Sequence, residues 1–180
     1  MSRLDLPERF DAVVGRWILM HTEDPVEVLR RAAAHLRPGG VLAVQDSDYS
    51  VSARCFAHPP TPTHDRLAAV LFPTALFPAA TAGEGPVANL GLSLYGMFRQ
   101  AGLPDPQLRL EAPLGGGEDW PGYAYLAETV ASLLPALRAL GVPGVDDIEL
   151  AGLEARLRRE VVERNGVQVL PTVIGAWARV

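Results

Sequence analysis

Between Phe10 and Asp48 the chain alternates short apolar runs with one amphipathic stretch: FDAVVGRWILMHTEDPVEVLRRAAAHLRPGGVLAVQDSD. Ala12, Val13 and Val14 form a continuous rather than alternating run, which predicts a parallel strand buried on both faces. Gly15 and Arg16 break it. Asp24, followed by Pro25 and by Glu27 at the third helical position, predicts a helix start with a capping carboxylate and a second one able to cap in return. Val26, Leu29, Ala33 and Leu36 then recur at helical spacing as the inner face. Pro38-Gly39-Gly40 predicts the stop, and Val41 to Val44 the next buried strand. The whole reads as one strand, helix and strand unit.

The later pattern is more broken. Met1 to Glu8 is an extended lead-in, and Tyr49 to Thr63, rich in Ser, Pro and His, is loop. Leu67 to Ala82 is the most apolar stretch, interrupted by Pro73 and Pro78, and it either packs on the sheet or lines a pocket for an apolar substrate. It is shorter than the roughly 20 residues that span a bilayer. Thr81 to Pro86 is loose, and Leu90, Leu94, Met97, Phe98 and Ala101 mark one face of a helix closed by Gly102. Gln107 to Ala112 alternates strictly, predicting a strand with one buried and one wet face. Gly115-Gly116-Gly117 reads as a flexible joint, since nothing after it completes a phosphate-cradling motif. A helix over 120–140 is expected to kink at Pro135 and end at Gly141. Asp146-Asp147 is expected to cap another, with Leu150, Leu153, Leu157 and Val161 inside and Asn165-Gly166 as its stop. Val167 to Val180 returns to the sheet, with Pro171 at a bend or strand start.

FDAVVGRWILMH, the Asp24-Pro25 helix start, LRPGG and a strand ending in acidic residues resemble, in this order and spacing, the second half of a class I S-adenosylmethionine-dependent methyltransferase. LYGMFRQAGLP resembles the helix and turn before that family's sixth strand, and VIGAWARV its final strand. The resemblance implies an α/β, Rossmann-like methyltransferase sheet with antiparallel final strands, truncated at the N-terminus because no strand and glycine-rich cofactor loop precede Asp11. Residues 1–180 are then one domain, with residues 119–166 as an inserted helical lid. The implied activity is methyl transfer from S-adenosylmethionine to a small molecule, with the apolar helices leaning toward a hydrophobic acceptor. The alternative is a non-catalytic remnant, a dimerising or ligand-binding module.

Bulk properties narrow the partners. The chain has 180 residues, 48% hydrophobic and 21% charged, which is ordinary for a globular domain with a core. A net charge of -5 argues against nucleic acid, since phosphate binding needs a basic face. The single cysteine, Cys55, excludes an internal disulfide and is read as a buried or incidental thiol; without a charged, apolar leader the expected location is the cytoplasm. His58 and His64 lack metal-site spacing, so no metal is expected.

Ligands of open α/β sheets lie beyond the carboxyl ends of the strands. That selects Gly15, Arg16, Trp17 and His21 after the first strand, a turn that the resemblance places against the cofactor. It also selects Asp46, Ser47, Asp48 and Tyr49 after the second, where the family often places substrate-facing groups. His21 and Asp46 are the candidate catalytic groups, because methyl transfer needs alignment and, for some acceptors, removal of a proton. Each has a bland alternative: Arg16 paired with a carboxylate, Trp17 in the core, His21 at a helix end. A carboxylate ending a buried strand is costly unless paired or used, which favours Asp46. An apolar strand at Ala12 to Val14 without its neighbour presents an open edge, so a homo-oligomer covering it, or shielding by a swapped helix or the lead-in, is expected.

Overall fold

The computed structural model describes residues 8–48, 56–71 and 90–180. In chain order the elements are β1 (Phe10–Arg16), α1 (Pro25–Ala34), β2 (Leu36–Asp48), β3 (Ala57–His58), α2 (Pro62–Leu71), α3 (Leu94–Gln100), β4 (Gln107–Glu111), β5 (Leu114–Gly115), α4 (Gly122–Ala139), α5 (Leu153–Glu163), β6 (Val167–Val169) and β7 (Thr172–Arg179). They form two compact units, one from residues 8–48, 90–111 and 173–180, the other from residues 56–71 and 112–172.

The first unit is a mixed α/β layer with strand order β1-β2-β7-β4. β1 and β2 are parallel, with Val13 opposite Leu42 and Gly15 opposite Val44; β4 and β7 are antiparallel, as the resemblance implies for the final strands. Leu29 and Ala33 of α1, Leu94 and Phe98 of α3, and Leu42, Val44, Ile174, Ala176 and Ala178 of the sheet make one core. Full burial of each large side chain contributes about 1.5–3 kcal/mol. α1 starts as its sequence predicts: the Asp24 carboxylate accepts the Glu27 N–H at 2.8 Å, with Pro25 at the first position. Such a cap stabilises by about 1 kcal/mol. Glu27 does not cap in return, because its carboxylate is taken by Arg30 and Arg31.

Several expectations fail for identifiable reasons. α1 ends at Ala34, and Pro38-Gly39-Gly40 lies inside β2, at a register shift where Phe10 faces Leu36 but Ala12 faces Val41. The glycines serve a long-range role there. Gly39 N–H donates to Val180 O at 2.6 Å, and Val180 N–H to Gly40 O at 2.9 Å, so the start of β2 is tied to the end of β7. A Cβ on Gly40 would lie 2.9 Å from Arg37 O and 3.1 Å from Asp11 O, and this close approach requires glycine. β1 is not buried on both faces: Ala12 and Val14, which share one face, are exposed, Val14 at 76%, and β1 also stands at the end of the strand order. All five residues of β4, the other edge, are exposed as well, so its alternation marks no buried face.

The second unit packs α2, α4 and α5 around Leu67, Val70, Tyr123, Leu126, Val130, Leu134, Leu157 and Val161, beside a small sheet of order β3-β6-β5. Gly115 and Gly116 are a close-packed corner rather than a hinge. A Cβ on Gly115 would enter the Trp120 ring, and one on Gly116 would meet the Gly166 carbonyl oxygen. α4 passes through Pro135 unbroken; Pro135 and Ala131, the residue whose carbonyl loses its helical partner, are both exposed, where water can replace that bond. Asp146 and Asp147 sit in a separate 3₁₀ turn, Val145–Asp147, with Asp146 paired to Arg138, while α5 starts after left-handed Gly152. The stop at Asn165-Gly166 is as expected. Asn165 has φ 49°, Gly166 N–H bonds Val161 O at 2.9 Å and Asn165 N–H bonds Val162 O at 3.0 Å, a complete Schellman closure. Cys55, Tyr49 and most of the apolar stretch 67–82 lie outside the described residues.

Candidate functional site

The parallel pairing of β1 with β2 continues to Gly15 opposite Val44 and Arg16 opposite Gln45, and Trp17 N–H adds a bond to Gln45 O at 2.8 Å. The two clusters chosen from the sequence therefore stand on adjacent strand ends. At the end of β1 the chain turns sharply. Trp17 adopts φ 52°, a left-handed conformation that a bulky side chain rarely takes and that is held only when its surroundings demand it. The Arg16 guanidinium lies 4.5 Å from the centre of the Trp17 ring, so it pairs with an indole rather than with a carboxylate. The Trp17 indole N–H is buried with no acceptor. A 3₁₀ turn, Leu19–His21, follows, closed by Thr22 Oγ1 donating to Leu19 O at 2.8 Å. His21 is exposed.

On β2 the period of two aligns Leu42, Val44, Asp46 and Asp48 on one face, and all four are buried. Two carboxylates thus extend an apolar row. Asp48 accepts the Leu92 N–H at 3.0 Å. Asp46 is wholly buried, and neither of its oxygens has a hydrogen bond. Burial pushes its pKa up; the Met20 and Leu19 backbone amides, which face it without reaching hydrogen-bond geometry, and the nearby His21 offset part of that rise. Ser47 is buried beside them, and Tyr49 lies outside the described residues.

A second polar cluster, in the other unit, escapes sequence reasoning. His64 is buried, with Nδ1 2.8 Å from Thr61 Oγ1 and Nε2 without a partner. Desolvation lowers its pKa to about 4, against the smaller opposing pull of Glu160 and Asp65. Glu160 accepts both Thr63 N–H at 3.0 Å and Thr63 Oγ1–H at 2.7 Å; burial pushes its carboxyl up, but these bonds, Thr61 and His64 outweigh that and hold it low. The available signal was Thr61-Pro62, a cap and first-turn proline that begin α2 inside a stretch read as loop. The same unit has a shallow cavity of about 430 Å³ lined by Glu118, Asp119, Trp120, Pro121, Glu154 and Arg158, among others. Among the described residues no group of three or more His, Cys, Asp or Glu could hold a metal, and no helix is long and apolar enough to cross a membrane.

The stretch that builds the parallel pair has known counterparts. Residues 1–44 match a methyltransferase domain. The match takes in β1, α1 and β2 as far as Val44, and over this stretch the methyltransferase resemblance read from the sequence holds. A comparison with curated proteins finds no match. Among solved structures, the chain is similar to phosphoethanolamine N-methyltransferase 2 of Haemonchus contortus in complex with phosphomonomethylethanolamine and S-adenosylhomocysteine. That likeness has 13% identity and a TM-score of 0.36, over 93% of this chain and 33% of that one. It is also similar to a sarcosine dimethylglycine methyltransferase structure from Galdieria sulphuraria, at 17% identity and a TM-score of 0.36, over 99% of this chain and 57% of the other. The chain thus spans a third of one and just over half of the other, and at this level of similarity neither bears on its substrate.

Proposed function

We propose that this chain forms part of an S-adenosylmethionine-dependent methyltransferase site acting on a small molecule. The observation that carries the reading is Asp46, a buried carboxylate without a hydrogen bond at the carboxyl end of a parallel strand pair, directly beyond the methyltransferase-domain match. Ligands of such sheets bind at that end. The residues present fit an amino-acid-bearing cofactor, because the adjacent strand ends offer an orphaned acceptor, Asp46, and an orphaned donor, the Trp17 indole N–H. When bound, S-adenosylmethionine supplies an activated methyl group. The chain's own residues hold and orient: the Gly15 to Trp17 turn forms a wall, and His21 and Asp46 are the titratable groups beside it. Calorimetric titration of the purified chain with S-adenosylmethionine and S-adenosylhomocysteine tests this. Stoichiometric, micromolar binding supports it, and absence of binding by the folded chain contradicts it in favour of a non-catalytic module.

We also infer that a second copy of the chain covers β1, on the observation that β1 ends the strand order and leaves Ala12 and Val14 exposed on one face. An apolar edge strand with unpaired backbone groups invites pairing. The mass of the chain in solution tests it: a dimer or larger assembly is expected, and a monodisperse monomer contradicts it.

A further inference from the structure

Buried acids among the described residues are matched with donors, with one exception. Asp48 has the Leu92 amide and the half-buried Glu160 has Thr63, but Asp46, more deeply buried than Glu160, has neither oxygen bonded. A carboxylate taken out of water without a hydrogen bond is costly, so a site that keeps one has a use for it. The position is also costly to its element, since Asp46 follows Leu42 and Val44 on the face that otherwise builds the core.

We propose that Asp46 is the receptor for a ligand's ammonium group, carried either by the amino-acid end of the cofactor or by an amine that accepts the methyl group. The inference deepens the methyl-transfer reading and rests on it. Two carboxylate oxygens outside hydrogen-bond geometry, with the Leu19 and Met20 amides facing them, match an ammonium, which brings three N–H donors and the opposite charge; a single neutral hydroxyl would satisfy only one of them. The chain has no lysine side chain to place there, because all 16 of its Lys and Arg positions are arginine. Arg16, opposite Gln45 on the neighbouring strand, is turned onto the Trp17 ring. The described part of the first unit has one other orphaned side-chain polar atom, the Trp17 indole N–H on the neighbouring strand end. An orphaned acceptor beside an orphaned donor is the complement of a zwitterion, ammonium toward Asp46 and carboxylate toward Trp17. His21, which is exposed, is near enough to act on the Asp46 charge.

The test uses the whole chain as wild type, Asp46→Asn and Trp17→Phe, with three probes: S-adenosylhomocysteine, 5′-methylthioadenosine, which lacks the amino-acid end, and n-butylammonium chloride. Binding is read by calorimetry and by the carboxyl carbon resonance of Asp46. Asparagine keeps the shape and removes a buried charge, so the melting temperature of Asp46→Asn should not fall. If the cofactor carries the ammonium, S-adenosylhomocysteine binds Asp46→Asn and Trp17→Phe about tenfold or more weakly, while 5′-methylthioadenosine binds all three chains alike. If the acceptor carries it, n-butylammonium is weakened by Asp46→Asn alone and moves the Asp46 resonance, while S-adenosylhomocysteine is unaffected. Equal binding of both amines to wild type and Asp46→Asn overturns the inference and leaves methyl transfer standing. A wild type that binds n-butylammonium through Asp46 but neither nucleoside overturns methyl transfer and leaves the ammonium receptor; one that binds no probe overturns both.

Discussion

Asp48 accepts the Leu92 amide N–H at 3.0 Å and ties the end of β2 to the 3₁₀ turn Gly91–Ser93, where a Cβ on Gly91 would lie only 3.2 Å from the Asp48 Cβ. Asp46, two residues earlier on the same face, has no such bond. The two acids therefore answer differently to mutation. Asp48→Ala should cost about 1 kcal/mol by removing the part-buried bond to the Leu92 amide, measured by chemical denaturation. Asp46→Asn should cost nothing.

The Asp46 carboxyl also gives stability a pH dependence of known sign. Its pKa is raised by burial above the ordinary 3.8, so between 3.8 and the raised value the folded chain holds a proton that the unfolded chain has released. Its contribution is fully present below 3.8 and is lost as pH rises through the folded pKa. Denaturation midpoints of wild type against Asp46→Asn across that range should diverge as pH rises, the variant being the more stable at neutral pH.

His64 acts in the opposite direction. Buried and neutral in the fold, with a pKa of about 4 against 6.5 unfolded, it leaves stability intact above pH 6.5 and removes it as pH falls toward 4, where the loss levels off. The full drop is on the order of 3 kcal/mol. His64→Leu should flatten this limb of the profile, and a wild-type profile level between pH 6.5 and 4 would contradict the burial argument.

How much of this was legible in the sequence depends on whether the deciding contact is local. Asp24-Pro25 fixed the start of α1, and Asn165-Gly166 the end of α5, because caps are made by neighbours in sequence. Pro38-Gly39-Gly40 misled because its glycines answer to Val180 and Asp11, far away along the chain. The same holds for Gly115 and Gly116 against Trp120 and Gly166. At the site, strand periodicity identified Asp46 and Asp48 as acids at a strand end, but only the fold separates the one bonded by Leu92 from the one left without a hydrogen bond. The His64, Thr63 and Glu160 cluster was hidden because residues 97 apart in sequence make its bonds.

The edge at β1 gives a prediction about assembly. Val14→Lys places a charge where Val14 is 76% exposed, and charges on edge strands block pairing. Sedimentation should show a larger species for wild type and monomer for the variant, with unchanged melting of the monomer.

The most direct measurement of the central claim, that ligands meet this chain at the carboxyl ends of β1 and β2, is amide chemical-shift mapping with S-adenosylhomocysteine. Shifts concentrated at Gly15 to His21 and Asp46 to Asp48 are predicted. Saturable shifts confined to residues 112–172 would contradict it.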